Sequence, residues 1–154
     1  MLSEKTIRPI ATIHNDFKEK FGIPRQSGIV EAYSTIVFEK EYQDINSLRG
    51  LEGFSHIWLI WGFSKSKITV FKPTVRPPRL GGNVHIGVFA TRSPFRPNGL
   101  GLSSVELVKI ESQTKDGPVL IVKGADLMDS TPIYDIKPYL KQFDSHPFAP
   151  TGFS

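Results

Sequence analysis

Short apolar runs, each cut off by glycine, proline or a polar cluster, recur along this chain roughly every eight to twelve residues, a spacing that favours many short strands. Residues 6–14 place Ile7, Ile10 and Ile13 around Pro9, which predicts a short or edge strand. Residues 28–38 are rich in β-formers (Ile29, Val30, Tyr33, Thr35, Ile36, Val37, Phe38) and predict a second. Residues 54–63, centred on His56-Ile57-Trp58-Leu59-Ile60-Trp61, are apolar at successive positions and predict a strand buried on both faces. Residues 68–75 predict another, with Pro73 implying a bulge or an edge. In residues 84–91, Val84, Ile86, Val88 and Ala90 alternate with His85, Gly87, Phe89 and Thr91, the period of a strand. Residues 102–111 and 118–124 flank Lys115-Asp116-Gly117, a hairpin signal, and residues 133–140 predict a last strand.

One short helix is expected at residues 45–49, capped by Asp44 and ended by Gly50. Residues 141–154, with Pro147, Pro150 and Gly152, follow no regular pattern and are expected to be an irregular tail on a single domain of residues 1–140. There is no internal repeat and no alternation of strands with long amphipathic helices. The pattern predicts an all-β sandwich or barrel with long loops, and argues against a doubly wound nucleotide-binding sheet.

The chain is organised around residues 80–104. After the alternating run comes Arg92-Ser93-Pro94-Phe95-Arg96-Pro97-Asn98-Gly99, two arginines and two prolines in one connection. Each proline fixes its own φ and holds the preceding residue extended, so the loop is stiff and can present guanidinium groups at little ordering cost. Gly87, which has no side chain to pack, marks a bulge or a point where a ligand meets the backbone.

Charge sharpens this picture. The net charge is +4, yet no Asp or Glu occurs between Glu52 and Glu106, a span that holds Lys65, Lys67, Lys72, Arg76, Arg79, Arg92 and Arg96. The flanks are therefore net acidic. A basic span interleaved with Gly, Pro and aromatics suits nucleic-acid phosphates better than a plain solvated face does. The 154 residues are enough for one sizeable core. There is no cysteine for a disulfide or thiolate site, no apolar run near the ~20 residues a spanning helix needs, and no apolar signal core at the N-terminus. These features lead us to expect a cytoplasmic protein.

Several chemistries fail on spacing. Gly99-Leu100-Gly101-Leu102 lacks the third glycine of a dinucleotide fingerprint and leads into a strand. His14, His56, His85 and His146 have no metal-ligand spacing, so no metal is expected. By pattern alone His56 is a hydrogen-bonded core histidine, and Arg92 and Arg96 pair with carboxylates such as Asp129 or Asp135. Asp129-Ser130-Thr131-Pro132 reads as a turn in which Asp129 accepts backbone hydrogen bonds.

Three strings carry more information: Leu48-Arg49-Gly50-Leu51-Glu52-Gly53-Phe54-Ser55-His56-Ile57-Trp58, Pro77-Pro78-Arg79-Leu80-Gly81-Gly82-Asn83, and Gly87-Val88-Phe89-Ala90-Thr91-Arg92-Ser93-Pro94-Phe95-Arg96-Pro97-Asn98. With Asp135-Ile136-Lys137-Pro138-Tyr139 they resemble the TrmO (YaeB, TsaA-like) family, over nearly the whole chain. The resemblance implies a TsaA-like β-barrel, a homodimer, and S-adenosyl-L-methionine as cofactor. It also implies methyl transfer to N6 of the threonylcarbamoylated adenosine beside the anticodon of tRNA. The family's cofactor contacts correspond to Pro24, Arg25 and Gln26, to His56 and Ile57, to Arg92 and Leu102, and to Asp129, Ser130, Thr131 and Pro132. Serine replaces the family's glycine at Ser130, a strained choice if that turn needs a positive φ. Some members carry an extra C-terminal domain, and its absence before Ser154 would bear on tRNA selection rather than on cofactor binding.

Under this reading Lys72, Arg76, Arg79 and Arg96 hold RNA phosphates, and Phe89, Phe95 or Tyr134 takes an unstacked base. The catalytic base is left open between His56, Asp129 and water. Two alternatives stand beside it: a methyltransferase acting on a small molecule, and a non-catalytic RNA-binding barrel.

Overall fold

Alternate side chains of six strands point into one interior, and that alternation is the fold. The structure, a computed structural model, describes residues 2–15, 32–63 and 70–153. Its strands are β1 (Ala11–His14), β2 (Tyr33–Phe38), β3 (His56–Gly62), β4 (Thr74–Val75), β5 (Ile86–Gly87), β6 (Leu100–Glu111), β7 (Val119–Lys123) and β8 (Thr131–Pro138). Six of them close into an antiparallel barrel in the order β1-β2-β7-β6-β3-β8, with β4 and β5 as a separate ribbon. The expected all-β class therefore holds, and of sandwich and barrel it is the barrel.

Ile13, Ile36, Ile57, Leu59, Leu120, Val122 and Ile133 fill the interior and are fully buried. Fully burying one such side chain stabilises the fold by about 1.5–3 kcal/mol. Leu48, Ala125 and Leu127 also belong to this core. Register follows from this filling: Ile57 faces Val105, Leu59 faces Ser103 and Trp61 faces Gly101 across β3 and β6. A Cβ on Gly101 would lie 2.3 Å from the Trp61 ring. Glycine is thus required there for close approach rather than for turning. The indole uses the space, donating its Nε1–H to Ser103 Oγ at 2.9 Å.

The structure corrects four expectations. β3 is buried on one face only; Trp58 and Ile60 are half-buried on the outer wall and His56 is exposed, because a barrel wall has a solvent side. Of residues 84–91 only Ile86–Gly87 is strand; a 3₁₀ turn, Val88–Ala90, follows, held by Thr91, whose N–H and hydroxyl both donate to the Val88 carbonyl. Likewise, of the described part of residues 68–75, residues 70–75, only Thr74–Val75 is strand. The tail contains one helical turn, α1 (Lys141–Asp144), which local pattern could not show because its cap comes from within: Asp144 Oδ2 accepts from Leu140 N at 2.8 Å. The turn capped by Asp44 does form, as 3₁₀ helix Ile45–Leu48, with the Asp44 carboxylate accepting from Asn46 N. Gly50 follows at φ 93°. The hairpin between β6 and β7 turns at Gly117, φ 73°.

Antiparallel order decides which loops meet. β1 and β3 end, and β2, β6 and β8 begin, at one rim of the barrel. The chain leaves that rim at Asn15 and re-enters at Ala32, and residues 88–99 lead into it.

Candidate functional site

The arginine-proline loop arrives at this rim, where Phe63 N donates to the Gly99 carbonyl at 3.2 Å. Pro94 and Pro97 restrict its backbone, and hydrogen bonds do the rest. Arg96 Nη1 donates to the carbonyls of Thr91 at 2.9 Å and Ser93 at 3.1 Å. Thr91 Oγ1 accepts from Ser93 N at 3.2 Å, and Lys72 N donates to the Phe95 carbonyl at 3.0 Å. Arg96 thus braces its own loop through Nη1. Neither Arg92 nor Arg96 pairs with Asp129 or Asp135 among the described residues. Asp135 pairs with Lys137 at 3.1 Å, and Arg92 is left exposed.

Beside the loop lies a cavity of about 880 Å³ whose lining includes Arg76, Arg79, Phe89, Arg92, Phe95 and Phe153. Phe89 is 73% exposed and stacks on Phe71 at 6.3 Å between centroids. Lys72 Nζ lies 4.2 Å above the Phe95 ring, a cation–π contact. Arg76 Nε donates to His85 Nε2 at 3.1 Å, which fixes its direction on the β4–β5 ribbon. Among the described residues the lining holds three arginines and no Asp or Glu, so it favours anions flanked by flat apolar groups.

The turn Asp129-Ser130 stands on the same rim, stapled to the end of β1. Asp129 Oδ1 accepts from Asn15 N at 2.8 Å and lies 3.6 Å from His14 Nδ1, and Ser130 N donates to the Ile13 carbonyl at 2.8 Å. The expected turn with a backbone-binding Asp129 is present. Ser130 sits at φ 69°, the left-handed conformation that favours glycine. Thr131 is buried, its hydroxyl donating to the Met128 carbonyl at 2.7 Å, so it shapes the turn. Pro132, in β8, pairs with Thr12 of β1.

Other expected contacts are not gathered here. His56 begins β3 at the opposite rim, about 20 Å from Gly62 at ~3.3 Å per residue. It is exposed rather than a core histidine, with Nδ1 2.8 Å from Ser55 Oγ and its ring 6.2 Å from Tyr139. It lines a separate cavity of about 680 Å³. The Ile57 side chain is fully buried in the barrel interior. Leu102 is 47% exposed on the outer wall, opposite Ile60. Pro24, Arg25 and Gln26 lie outside the described residues. No group of three His, Cys, Asp or Glu able to hold a metal occurs among the described residues.

Sequence reasoning missed Phe153. It comes to the cleft from a tail with no apolar periodicity, so no local signal could have found it.

A family profile for the tRNA-methyltransferase O N-terminal domain matches residues 12–145. The chain is 44% identical to the tRNA (adenine(37)-N6)-methyltransferase of Escherichia coli K12 over 99% of its own length and 65% of that protein. It is 40% identical to a probable S-adenosyl-L-methionine-binding protein of Pyrococcus abyssi, over 89% of this chain and 69% of that one. A crystal structure of TrmO from Pseudomonas aeruginosa superposes with a TM-score of 0.77 at 35% identity, covering 100% of this chain and 64% of the other. The chain thus spans just under two thirds of the Escherichia coli and Pseudomonas aeruginosa relatives.

Proposed function

This chain belongs to the tRNA-methyltransferase O N-terminal domain family, and from that we propose that it transfers a methyl group from S-adenosyl-L-methionine to N6 of adenosine 37 in tRNA. The observation that carries the reading is the exposed Arg92, held on a braced loop in a cleft lined by arginines and aromatics and without Asp or Glu among its described residues; the Asp129 turn, stapled to the end of β1, supports it. The chemistry of these groups fits the cofactor. Arg92, exposed on a rigid loop, suits an amino-acid carboxylate, and the carboxylate of Asp129 suits hydroxyl or ammonium donors. His56 belongs to this set only if it is met from elsewhere, since it stands at the other rim.

The cofactor supplies an electrophilic methyl group on a sulfonium. The protein's task is alignment and exclusion of water, which can be worth effective molarities on the order of 10⁵ M. The braced loop fixes Arg92; Arg76 and Arg79 hold phosphates, and Phe89 and Phe95 give an unstacked base an apolar surface. A homodimer is part of the proposal. Leu102 and Ile60, cross-strand partners on the outer wall, form an apolar strip, and Leu102 would meet a bound ligand when a second copy covers that wall. A tRNA substrate makes the cytoplasm the working compartment.

Calorimetry with S-adenosyl-L-methionine, followed by mass spectrometry of nucleosides from treated tRNA, tests the reading. A modified adenosine one methyl group heavier is the expected product. Cofactor binding without any RNA product would reject the tRNA substrate.

A further inference from the structure

The C-terminal segment is anchored at one place and contributes to the cleft at another. Near the rim of His56, Trp58 Nε1 donates to Asp144 Oδ2 at 2.9 Å, and Tyr139 lies 5.6 Å from the Trp58 ring. This fixes α1 on the outside of β3. A turn follows, in which Ala149 N donates to the His146 carbonyl at 3.1 Å, and the chain reaches the arginine cleft with Thr151 and Phe153. Phe153 lines the cleft yet stays 38% exposed, so it is not simply a core residue. With the segment in place the cavity still measures about 880 Å³, within the ~300–1,000 Å³ typical of ligand sites, so the tail walls the cleft without filling it.

Building on the RNA-binding reading above, we propose that residues 145–153 are a strap tied down by Asp144, and that Phe153 is an aromatic wall against which an unpaired RNA base stacks. Phe89 and Phe95 supply the other aromatic surfaces, and Arg76, Arg79 and Arg92 the phosphate partners. A base inside a duplex offers no free face to such walls, so the strap discriminates for unpaired nucleotides.

The test uses the full chain as wild type, Phe153→Ala, Phe153→Trp and Asp144→Ala, titrated into a fluorescently labelled single-stranded RNA and into its duplex. Phe153→Ala weakens single-strand binding about tenfold and leaves duplex binding unchanged, as loss of one stack predicts. Phe153→Trp retains single-strand affinity, and RNA quenches its added emission. Asp144→Ala, which alters no cleft residue, also weakens single-strand binding by releasing the anchor. A melting temperature equal to wild type for Phe153→Ala excludes misfolding as the cause. If wild type binds and Phe153→Ala binds single strands equally or more tightly, the strap proposal is overturned while RNA binding stands. Equal loss on single strand and duplex overturns it as well. If wild type binds neither RNA, the functional reading falls and takes the strap with it.

Discussion

Two backbone positions show how single residues set the frame of the site. At Gly101 there is no room for a methyl group, because its Cβ would fall 2.3 Å from the Trp61 ring. Gly101→Ala must push the indole off Ser103 or open β3 from β6. Overpacking of this kind costs about 1–3 kcal/mol, to be read from urea unfolding of the variant against wild type. Ser130 is the converse case. It holds φ 69° without being glycine. Glycine relieves that conformation, whereas alanine keeps it and loses the hydroxyl bonded to Asp129 at 3.3 Å. The Ser130→Gly variant should therefore be at least as stable as wild type, and Ser130→Ala less stable than wild type. About 1 kcal/mol should separate the two variants by the same assay.

At the scale of elements, α1 is too short to hold itself and depends on one carboxylate. The Asp144 carboxyl is held below its ordinary value of 3.8, chiefly by the Leu140 N–H and next by the Trp58 indole. A carboxylate depressed in the folded state contributes stability above its unfolded pKa and loses it as pH falls through the folded value. The attachment of α1 should accordingly be intact at neutral pH and fail only below the usual carboxylate range. The Trp58 indole proton signal in NMR reports this, shifting on acidification in wild type and already shifted at pH 7 in Asp144→Ala.

Elements of this kind also mark what the sequence could and could not reveal. The barrel strands were legible as short apolar runs bounded by turn residues, but which face of β3 is buried was not, because Trp58 and Ile60 on its outer wall are as apolar as Ile57 and Leu59 inside. The Asp129 turn was legible from its residue types. Residues 84–91 misled because Val84, Ile86 and Val88 alternate like a strand, while the bonds from Thr91 to Val88 wind the chain into a turn. The bracing role of Arg96 was not legible because its partners, the carbonyls of Thr91 and Ser93, leave no trace in side-chain pattern. His56 and Arg92 stand in one motif-based set because a motif has no spatial axis; within this one chain they line separate cavities.

For the whole molecule the arginines separate into two roles that salt can distinguish. Arg76 and Arg79 line the cleft, while Arg96 is turned into its own loop. If RNA is held by counterion release, removing the partner of one phosphate should lower the slope of log affinity against log salt by about 0.7 for a single strand. Arg76→Ala and Arg79→Ala should each flatten the slope by roughly that amount, with little change in melting temperature. Arg96→Ala should do the reverse. It removes two hydrogen bonds from a braced loop, so the melting temperature falls, at a cost of about 1 kcal/mol or more for each charged donor removed, while the slope stays near wild type. Fluorescence anisotropy over a salt series and thermal unfolding of the same three variants decide it. A slope insensitive to Arg76 and Arg79 would mean that this basic face is solvated rather than bound to RNA.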